Sequence, residues 1–316
     1  MTSSPLSFLT NNPIYQNENL RLVFFTLGAS LVLFKVLNWT KSLLFSLFRP
    51  SYDLSSRYGK NTWALITGGS DGIGRAFGFE LASKGFNIIL VSRTKEKLEK
   101  TAEEIRAQYP STQIKIITQD LTDSFKEGFS EAILNQVKDL DISLLINNAG
   151  QGLLKSYSDV SSKEIRDIVA LNCLSHSLIL KAFLPKLSQR KQKSAIINVS
   201  SLAAVSPLPK VQIYAATKAF HDYLSRGLSY EYPDIDIMCL KPGTVSTALS
   251  KYRKLDSETV TPEECAKAAL KDLGTTTQSF GHPKHKIQAF FASITPQFIL
   301  DIYIKKVLLS PNSKYD

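Results

Sequence analysis

The sequence predicts an α/β protein built on a doubly wound parallel sheet, preceded by a hydrophobic helix that anchors the chain in a membrane. Three observations support this. Short apolar runs alternate with helix-length segments from Asn61 onward, which is typical of parallel βαβ units. The first of these runs ends in a glycine-rich turn that opens a helix. An apolar segment near the N-terminus is long enough to cross a bilayer.

The apolar N-terminal segment is best interpreted as a retained membrane anchor. Leu20–Trp39, with Arg21 and Lys35 reaching the interface, supplies the roughly 20 residues that cross the hydrocarbon core. A cleavable signal peptide and a buried soluble helix are the alternatives. The preceding tail is polar and lacks a basic region, which favours the anchor. Positive charge follows the segment, so the positive-inside rule leaves the main domain on the cytosolic side.

The composition divides the chain into five parts. These are a polar tail (1–19), the membrane anchor (20–48), a basic linker (49–60), a dinucleotide-binding domain (61–275) and an apolar or amphipathic extension (276–316). Within the domain, six apolar runs are predicted as buried strands. They are 62–67, 86–92, 113–118, 142–147, 194–200 and 235–241.

The turn after the first strand, "TGGSDGIG", predicts a dinucleotide site. Gly68, Gly72 and Gly74 allow the backbone to approach a pyrophosphate at a helix N-terminus. The second strand ends in Ser92-Arg93, where NAD enzymes usually place an acid. A guanidinium there favours the 2′-phosphate of NADP(H).

Two other residues, Arg75 and Asp120, each allow two interpretations. Arg75 is either a second positive contact for the cofactor or a solvated helix residue. Asp120, at the end of the third strand, either accepts a hydrogen bond from the adenine amino group or caps the next helix.

Charge and cysteine content exclude several functions. The net charge of +10 is spread along the chain without an arginine-rich tract, so the sequence predicts an anionic membrane or substrate rather than nucleic acid. The three widely spaced cysteines form no metal pattern and favour a reducing compartment. His282 and His285 have no accompanying carboxylate or cysteine and are predicted to be surface-loop residues, so no metal site is expected.

Four polar residues of the domain share a chemical rationale. Tyr214 and Lys218 lie one helical turn apart, and the ammonium is expected to lower the pKa of the phenol so that it can donate a proton to a carbonyl oxygen. Ser201 ends the "SAIINVSS" strand, where its hydroxyl can orient that oxygen. Asn172 lies in a helical stretch, where its amide can hold a water that resupplies the proton.

These motifs resemble the short-chain dehydrogenase/reductase family, whose domain is a Rossmann fold. Thr67-Gly68-x-x-x-Gly72-x-Gly74, "NNAG" (147–150), Asn172, Ser201 and Tyr214-x-x-x-Lys218 occur in the family's order and spacing over about residues 60–275. The resemblance implies a catalytic tetrad of Asn172, Ser201, Tyr214 and Lys218, with Ser200 as an adjacent decoy. With the residues above, the predicted cofactor site comprises Gly68, Ser70, Asp71, Gly72, Ile73, Gly74, Arg93, Asp120, Asn148, Ala149, Gly150, Tyr214, Lys218, Pro242, Gly243, Val245 and Thr247.

Similarity over nearly the whole chain extends to the very-long-chain 3-oxoacyl-CoA reductases and related 17β-hydroxysteroid dehydrogenases. It implies an endoplasmic reticulum enzyme of fatty-acid elongation that reduces 3-oxoacyl-CoA with NADPH, working beside other elongation enzymes. A steroid or other lipid ketone is the alternative substrate, and a non-catalytic scaffold is disfavoured by the complete tetrad. The resemblance also favours a homodimer. The dilysine retrieval signal of many relatives is missing, because Lys305-Lys306 are too far from the C-terminus.

Two further segments are expected to contact substrate or membrane. Lys251, Arg253 and Lys254 follow the last motif, where family members carry a mobile lid. They either attract the CoA phosphates or form a solvated lid. The apolar segment 287–309, broken by Pro296, is predicted to be a membrane-surface or substrate-tunnel helix rather than a second span.

Overall fold

The computed structural model describes residues 17–304, and the chain divides into two compact units, Met1–Pro50 and Ser51–Asp316. The first unit contains one long helix, α1 (Glu18–Phe48), capped by the Asn17 side chain. Most of its apolar side chains that the structure describes are exposed, and no part of its most apolar stretch is buried. Its length and composition are sufficient to cross a membrane.

The boundaries predicted for the tail, anchor, linker and extension remain predictions. Residues 1–16 of the tail and 305–316 of the extension, including Lys305-Lys306, lie outside the described residues.

The second unit is a seven-stranded parallel sheet in the order β3-β2-β1-β4-β5-β6-β7. Its strands are β1 (Trp63–Thr67), β2 (Asn87–Ser92), β3 (Ile114–Thr118), β4 (Ile142–Asn147), β5 (Ser194–Val199), β6 (Ile235–Leu240) and β7 (Gln278–Ser279). The doubly wound fold and its six predicted strands are confirmed. The seventh was not predicted, because two residues are too few to show a hydrophobic pattern.

Helices cover both faces of the sheet. They are α2 (Leu54–Tyr58), α3 (Gly72–Ala82), α4 (Lys95–Gln108), α5 (Phe129–Asn135), α6 (Ser162–Val169), α7 (Ser175–Ser188), α8 (Gln212–Glu231), α9 (Pro262–Asp272), α10 (Pro283–Ile294) and α11 (Gln297–Tyr303). A π-helical turn, Ala170–Leu174, joins α6 to α7. The combined helix Ser162–Ser188 is also apolar enough to span a membrane, but half of its most apolar stretch is buried inside the domain.

The strand residues alternate between two hydrophobic cores. In β1 and β2, Ile66 and Leu90 belong to one cluster, whereas Leu65 and Ile89 belong to the other. This period of two is what a sheet covered on both faces requires. The strand order reverses between β1 and β4, and ligands of such sheets bind in the crevice that forms there beyond the carboxyl ends of the strands.

The residues just before β1 are attached to the end of the sheet at which strand β6 begins. Asp53 caps α2 through hydrogen bonds from Ser56 and Ser55, which lower the pKa of its carboxyl to about 2. Arg57 donates from Nε to the Asp236 carboxylate at 2.6 Å, and the Tyr58 hydroxyl donates to the same group at 2.7 Å. These contacts hold the segment against β6, within the second unit.

Candidate active site

The glycine turn after β1 brings helix α3 against the strand end with no room for side chains. Gly68 and Gly72 have φ angles of 66° and 53°, which favour glycine. A Cβ atom on Gly74 would lie 2.2 Å from the Gly68 carbonyl oxygen. The first turn of α3 therefore lies directly against the glycine turn, with the helix N-terminus at the crevice. This fits the pyrophosphate of a dinucleotide.

The "NNAG" segment supports this turn from the end of β4. Thr67 was not predicted as a site residue, yet its hydroxyl accepts from the backbone N–H groups of Asn148 and Ala149 at 2.9 and 3.0 Å. The Asn148 side chain donates to the Thr67 carbonyl at 3.0 Å. Asn147 donates to Asn198 of β5 at 3.0 Å and so braces the sheet. Asn198 is fully buried.

Four side chains define the end of the crevice beside β2. The hydroxyls of Ser70 and Ser92 are hydrogen-bonded at 2.9 Å. Arg93 is exposed, and none of the ion pairs found within residues 17–304 includes it. Arg75 is instead paired with Glu104 at 2.7 Å and lies over the Phe79 ring. The structure thus leaves Arg93 as the better placed cation for an anionic group.

Asp120 caps the turn that follows β3. Its carboxylate accepts from the backbone N–H and the hydroxyl of Thr122 at 2.9 and 2.8 Å. Of the two alternatives for this residue, the cap is the one present in the structure. The adenine contact remains a prediction.

Asp71 and Ile73 complete the turn. The Asp71 carboxylate caps α3 through the Gly72 N–H and accepts from the Tyr252 hydroxyl at 3.3 Å. Ile73 is partly buried against the first core cluster. The contact between Asp71 and Tyr252 joins the turn to the segment that follows β6.

Asn172, Gly150 and Lys218 meet where three elements converge. Asn172 is fully buried in the π-helical turn and exchanges hydrogen bonds with the backbone of Gln151 at 3.0 and 3.1 Å. Lys218, on α8, is also buried and donates to the Val199 carbonyl at 2.8 Å. A Cβ atom on Gly150 would lie 3.1 Å from Lys218 Nζ and 3.3 Å from Asn172 Oδ1. A side chain at position 150 would therefore have to displace Lys218 or Asn172 by a few tenths of an ångström.

Tyr214 and Ser201 close the same site from α8 and the end of β5. The ring centroid of Tyr214 is 5.8 Å from Lys218 Nζ, and its hydroxyl is hydrogen-bonded to Ser201. Ser200, the decoy, is buried and donates to the Lys218 carbonyl at 2.6 Å, so it supports the helix. The structure thus brings all four predicted tetrad residues to one site.

The prediction that Lys218 lowers the pKa of Tyr214 is wrong for the protein chain considered alone. Burial raises the pKa of Tyr214, and the hydrogen bond with Ser201 only opposes that shift. Burial also lowers the pKa of Lys218 to about 8. The ammonium is directed at the Val199 carbonyl rather than at the phenol, which explains why the sequence spacing alone overestimated their coupling.

Two buried histidines behind the tetrad had no sequence signal. His176 lies one turn after Asn172, and His221 lies one turn after Lys218. Their Nδ1 atoms are 3.4 Å apart, so one ring donates and the other accepts. Burial is the main cause that lowers the pKa of both, that of His176 to about 3. The pair is therefore neutral and links the two helices that carry Asn172 and Lys218.

The segment after β6 lies across the crevice from the glycine turn. A Cβ on Gly72 would lie 2.9 Å from Thr247 Cγ2, so Thr247 covers the turn directly. Val245 is buried and forms a bridge with Val260. The Pro242 carbonyl accepts from the Leu202 N–H at 2.8 Å, tying the segment to the end of β5.

Gly243 and its neighbours contact helix α10. A Cβ on Gly243 would lie 2.6 Å from the His285 ring, and His285 Nε2 is 3.2 Å from the Thr244 carbonyl oxygen. The prediction of surface-loop histidines is therefore wrong. His285 is buried, and His282 caps the helix by accepting from the Lys284 N–H at 3.2 Å.

Comparison with known proteins covers the segments that form the site. The sequence profile described as short chain dehydrogenase matches residues 62–258. The very-long-chain 3-oxoacyl-CoA reductase-B of Danio rerio is 36% identical over 262 residues, covering 80% of this chain and 82% of its own. The hydroxysteroid dehydrogenase-like protein 1 of Gallus gallus is 35% identical over 259 residues, covering 78% and 75%.

A solved structure with a bound nicotinamide cofactor shares the fold. The short-chain dehydrogenase of Sphingobium yanoikuyae in complex with NADPH superimposes with a TM-score of 0.64 at 25% identity, covering 78% of this chain and 96% of that one. Together with the glycine turn and the N-terminus of α3 at the crevice, this similarity supports a nicotinamide dinucleotide as the cofactor of the crevice.

Proposed function

The chain belongs to the short-chain dehydrogenase family, and from that premise we propose that it is a very-long-chain 3-oxoacyl-CoA reductase. It is an oxidoreductase with a nicotinamide cofactor. In the proposed reaction, NADPH reduces 3-oxoacyl-CoA to 3-hydroxyacyl-CoA during fatty-acid elongation. The observation that carries the proposal is the convergence of Asn172, Ser201, Tyr214 and Lys218 beside the glycine turn, in a chain about a third identical to reductases of that name.

The proposed division of labour follows from where each side chain lies. The bound dinucleotide supplies a hydride to the carbonyl carbon. Tyr214 is the proton donor, because its raised pKa keeps the hydroxyl protonated at neutral pH. Ser201, hydrogen-bonded to that hydroxyl, orients the carbonyl oxygen. Lys218 binds the nicotinamide ribose, and Asn172 holds the Gln151 backbone beside it.

NADPH rather than NADH is proposed on the strength of the end of β2. Arg93 is exposed and free of a carboxylate partner within the described chain, and the hydroxyls of Ser70 and Ser92 lie nearby. A guanidinium and two hydroxyls suit a 2′-phosphate. The Sphingobium yanoikuyae enzyme, which binds NADPH, shares this fold.

A 17β-hydroxysteroid or other lipid ketone is the second candidate substrate, because a relative of similar identity is named a hydroxysteroid dehydrogenase-like protein. We also propose that the enzyme resides in the endoplasmic reticulum membrane with its catalytic domain on the cytosolic side, anchored by α1, working near other elongation enzymes and able to form a homodimer.

The substrate is tested by NADPH oxidation in detergent-solubilised enzyme. We expect fast turnover of 3-oxohexadecanoyl-CoA and slow turnover of a 17-ketosteroid. Tyr214→Phe should lower turnover by about two to four orders of magnitude while still binding NADPH, since the proton donor is removed and the rest of the cofactor site remains. Fast oxidation with the steroid alone would assign the enzyme to the second candidate. Unchanged turnover in Tyr214→Phe would refute the tetrad assignment.

The cofactor preference is tested with a matched pair of arginine variants. Arg93→Ala should weaken NADPH binding by about tenfold or more and leave NADH binding nearly unchanged, because it removes one charge-assisted contact. Arg106→Ala is the control: its guanidinium lies on α4 and donates to the Ile114 carbonyl. Equal effects of the two substitutions, or an intrinsic preference for NADH, would contradict the proposed 2′-phosphate contact.

A further inference from the structure

The C-terminal helices expose an apolar face that nothing in residues 17–304 covers. Helix α10 carries Ile287, Phe291 and Ile294 at helical spacing, and α11 carries Phe298 and Ile302 after a break at Thr295–Pro296. All five are exposed, with Phe291 at 59% and Phe298 at 64%. Single exposed apolar residues are common, but five large exposed apolar side chains so close together in the chain, two of them phenylalanines, mark an interaction surface. We call these five residues the C-terminal apolar face.

The opposite side of α10 is attached to the candidate active site. His285 is buried against Gly243 and Thr244, in the segment that borders the crevice. The Lys284 ammonium donates to the Asp256 carbonyl at 2.8 Å, and Gln288 donates to the Glu258 carbonyl at 3.3 Å. The helix therefore connects the apolar face to residues 256–259.

The residues just before 256 form a second exposed apolar and basic patch. Leu255 and Tyr252 are 59% and 64% exposed, and Lys251, Arg253 and Lys254 lie between and beside them. Leu249, which precedes this patch, lies 3.3 Å from where a Cβ on Gly152 would be, in the loop after β4. The patch thus lies beside the opening of the crevice.

The chemistry of the two surfaces selects the partner. Aromatic and aliphatic side chains flanked by lysine and arginine suit a bilayer surface that carries anionic headgroups. A soluble partner would not require this combination. In addition, only residues 49–53 separate α1 from α2 of the catalytic unit, so a membrane crossed by α1 stays within reach of the catalytic unit.

From these observations we propose that the C-terminal apolar face and the adjoining residues 249–255 dock onto the surface of an anionic bilayer. The acyl chain of a lipid substrate would then enter the crevice from the membrane, since α10 connects the docked face to residues 256–259; this step rests on the proposed function. Docking itself needs no turnover, so it can be tested independently of the substrate assigned above.

The test uses the full chain reconstituted in vesicles of phosphatidylcholine and phosphatidylserine. The variants Phe291→Cys and Phe298→Cys are labelled with an environment-sensitive fluorophore, and Tyr230→Cys is the control. Tyr230 is exposed near the C-terminal end of α8, close in sequence to the start of β6. It therefore lies toward the end of the sheet where the strands begin, and the crevice lies at the other end. Unsubstituted protein corrects for labelling of the native cysteines, of which Cys239 and Cys265 are buried.

We expect lipids carrying acyl-chain quenchers to quench the labels at 291 and 298 several-fold more strongly than the label at 230. Aqueous iodide should show the reverse order. Equal quenching at all three positions would overturn the proposal. Shielding of 291 and 298 that depends on protein concentration and not on lipid would overturn it in favour of a second copy of the chain. Shielding that is lost when residues 305–316 are deleted, with lipid still present, would assign the face to the chain's own remaining C-terminal residues.

Discussion

The prediction that tests the cofactor site most directly is Gly74→Ala. An added Cβ would lie 2.2 Å from the Gly68 carbonyl oxygen and 2.5 Å from Asn148 Nδ2, whereas real Cβ contacts under 3.0 Å are essentially never seen. The helix must therefore move away from β1 by about 0.8 Å. The obstacle is backbone, so we expect the upper range of overpacking costs, about 3 kcal/mol. For a unit of this size that corresponds to a melting temperature lowered by about 6–12 °C.

The same displacement moves the first turn of α3 away from the pyrophosphate position, so NADPH affinity should fall by about tenfold or more. Thermal unfolding and NADPH fluorescence titration measure the two effects. Gly227→Ala is the control, because Gly227 is exposed in α8 with no atom within 4 Å of an added Cβ. That variant should be unchanged or more stable by roughly 0.5–1 kcal/mol. If Gly74→Ala melts and binds NADPH like the wild type, the proposed packing of the turn is wrong.

Two further predictions concern pH. Burial lowers the pKa of Lys218 to about 8, so its positive charge is lost above that pH. NADPH affinity should fall as the pH rises through 8, and Lys218→Met should bind weakly with no such step; a step that persists in Lys218→Met would assign it elsewhere. Burial lowers the pKa of His176 to about 3 from 6.5, so the unfolded chain takes up a proton before the native protein does. The free energy of unfolding should therefore decrease as the pH falls from 6.5 toward 3, and His176→Gln should reduce that slope by about 1.4 kcal/mol per pH unit in urea unfolding. An unchanged slope would show that the ring is charged in the native protein.

Much of the fold followed from local pattern. The six long strands were predictable because each is a short apolar run bounded by turn residues and separated from the next by a helix-length segment. Strand β7 could not be found, since Gln278 and Ser279 join the sheet only through the edge of β6. Helix α2 was assigned to a linker because its stability comes from Asp236, which is distant in sequence and receives hydrogen bonds from Arg57 and Tyr58.

The candidate site was predictable to the extent that it depends on motif spacing. The four tetrad residues were identified because their chemistry requires those residue types together. Their environment was not. The burial that sets the pKa directions of Tyr214 and Lys218 and the pairing of His176 with His221 arise from helices that meet only in the folded chain.

The class of this protein follows from local features of its sequence. Its alternation of strands and helices, its glycine turn and its Tyr-x-x-x-Lys pair are local features, and local features can be read without coordinates. Which polar groups face one another depends on the folded chain. It directs Lys218 to the Val199 carbonyl, pairs Arg75 with Glu104 and leaves the apolar face of α10 exposed. Partners, burial and exposure depend on residues far apart in the chain, so no spacing rule could supply them.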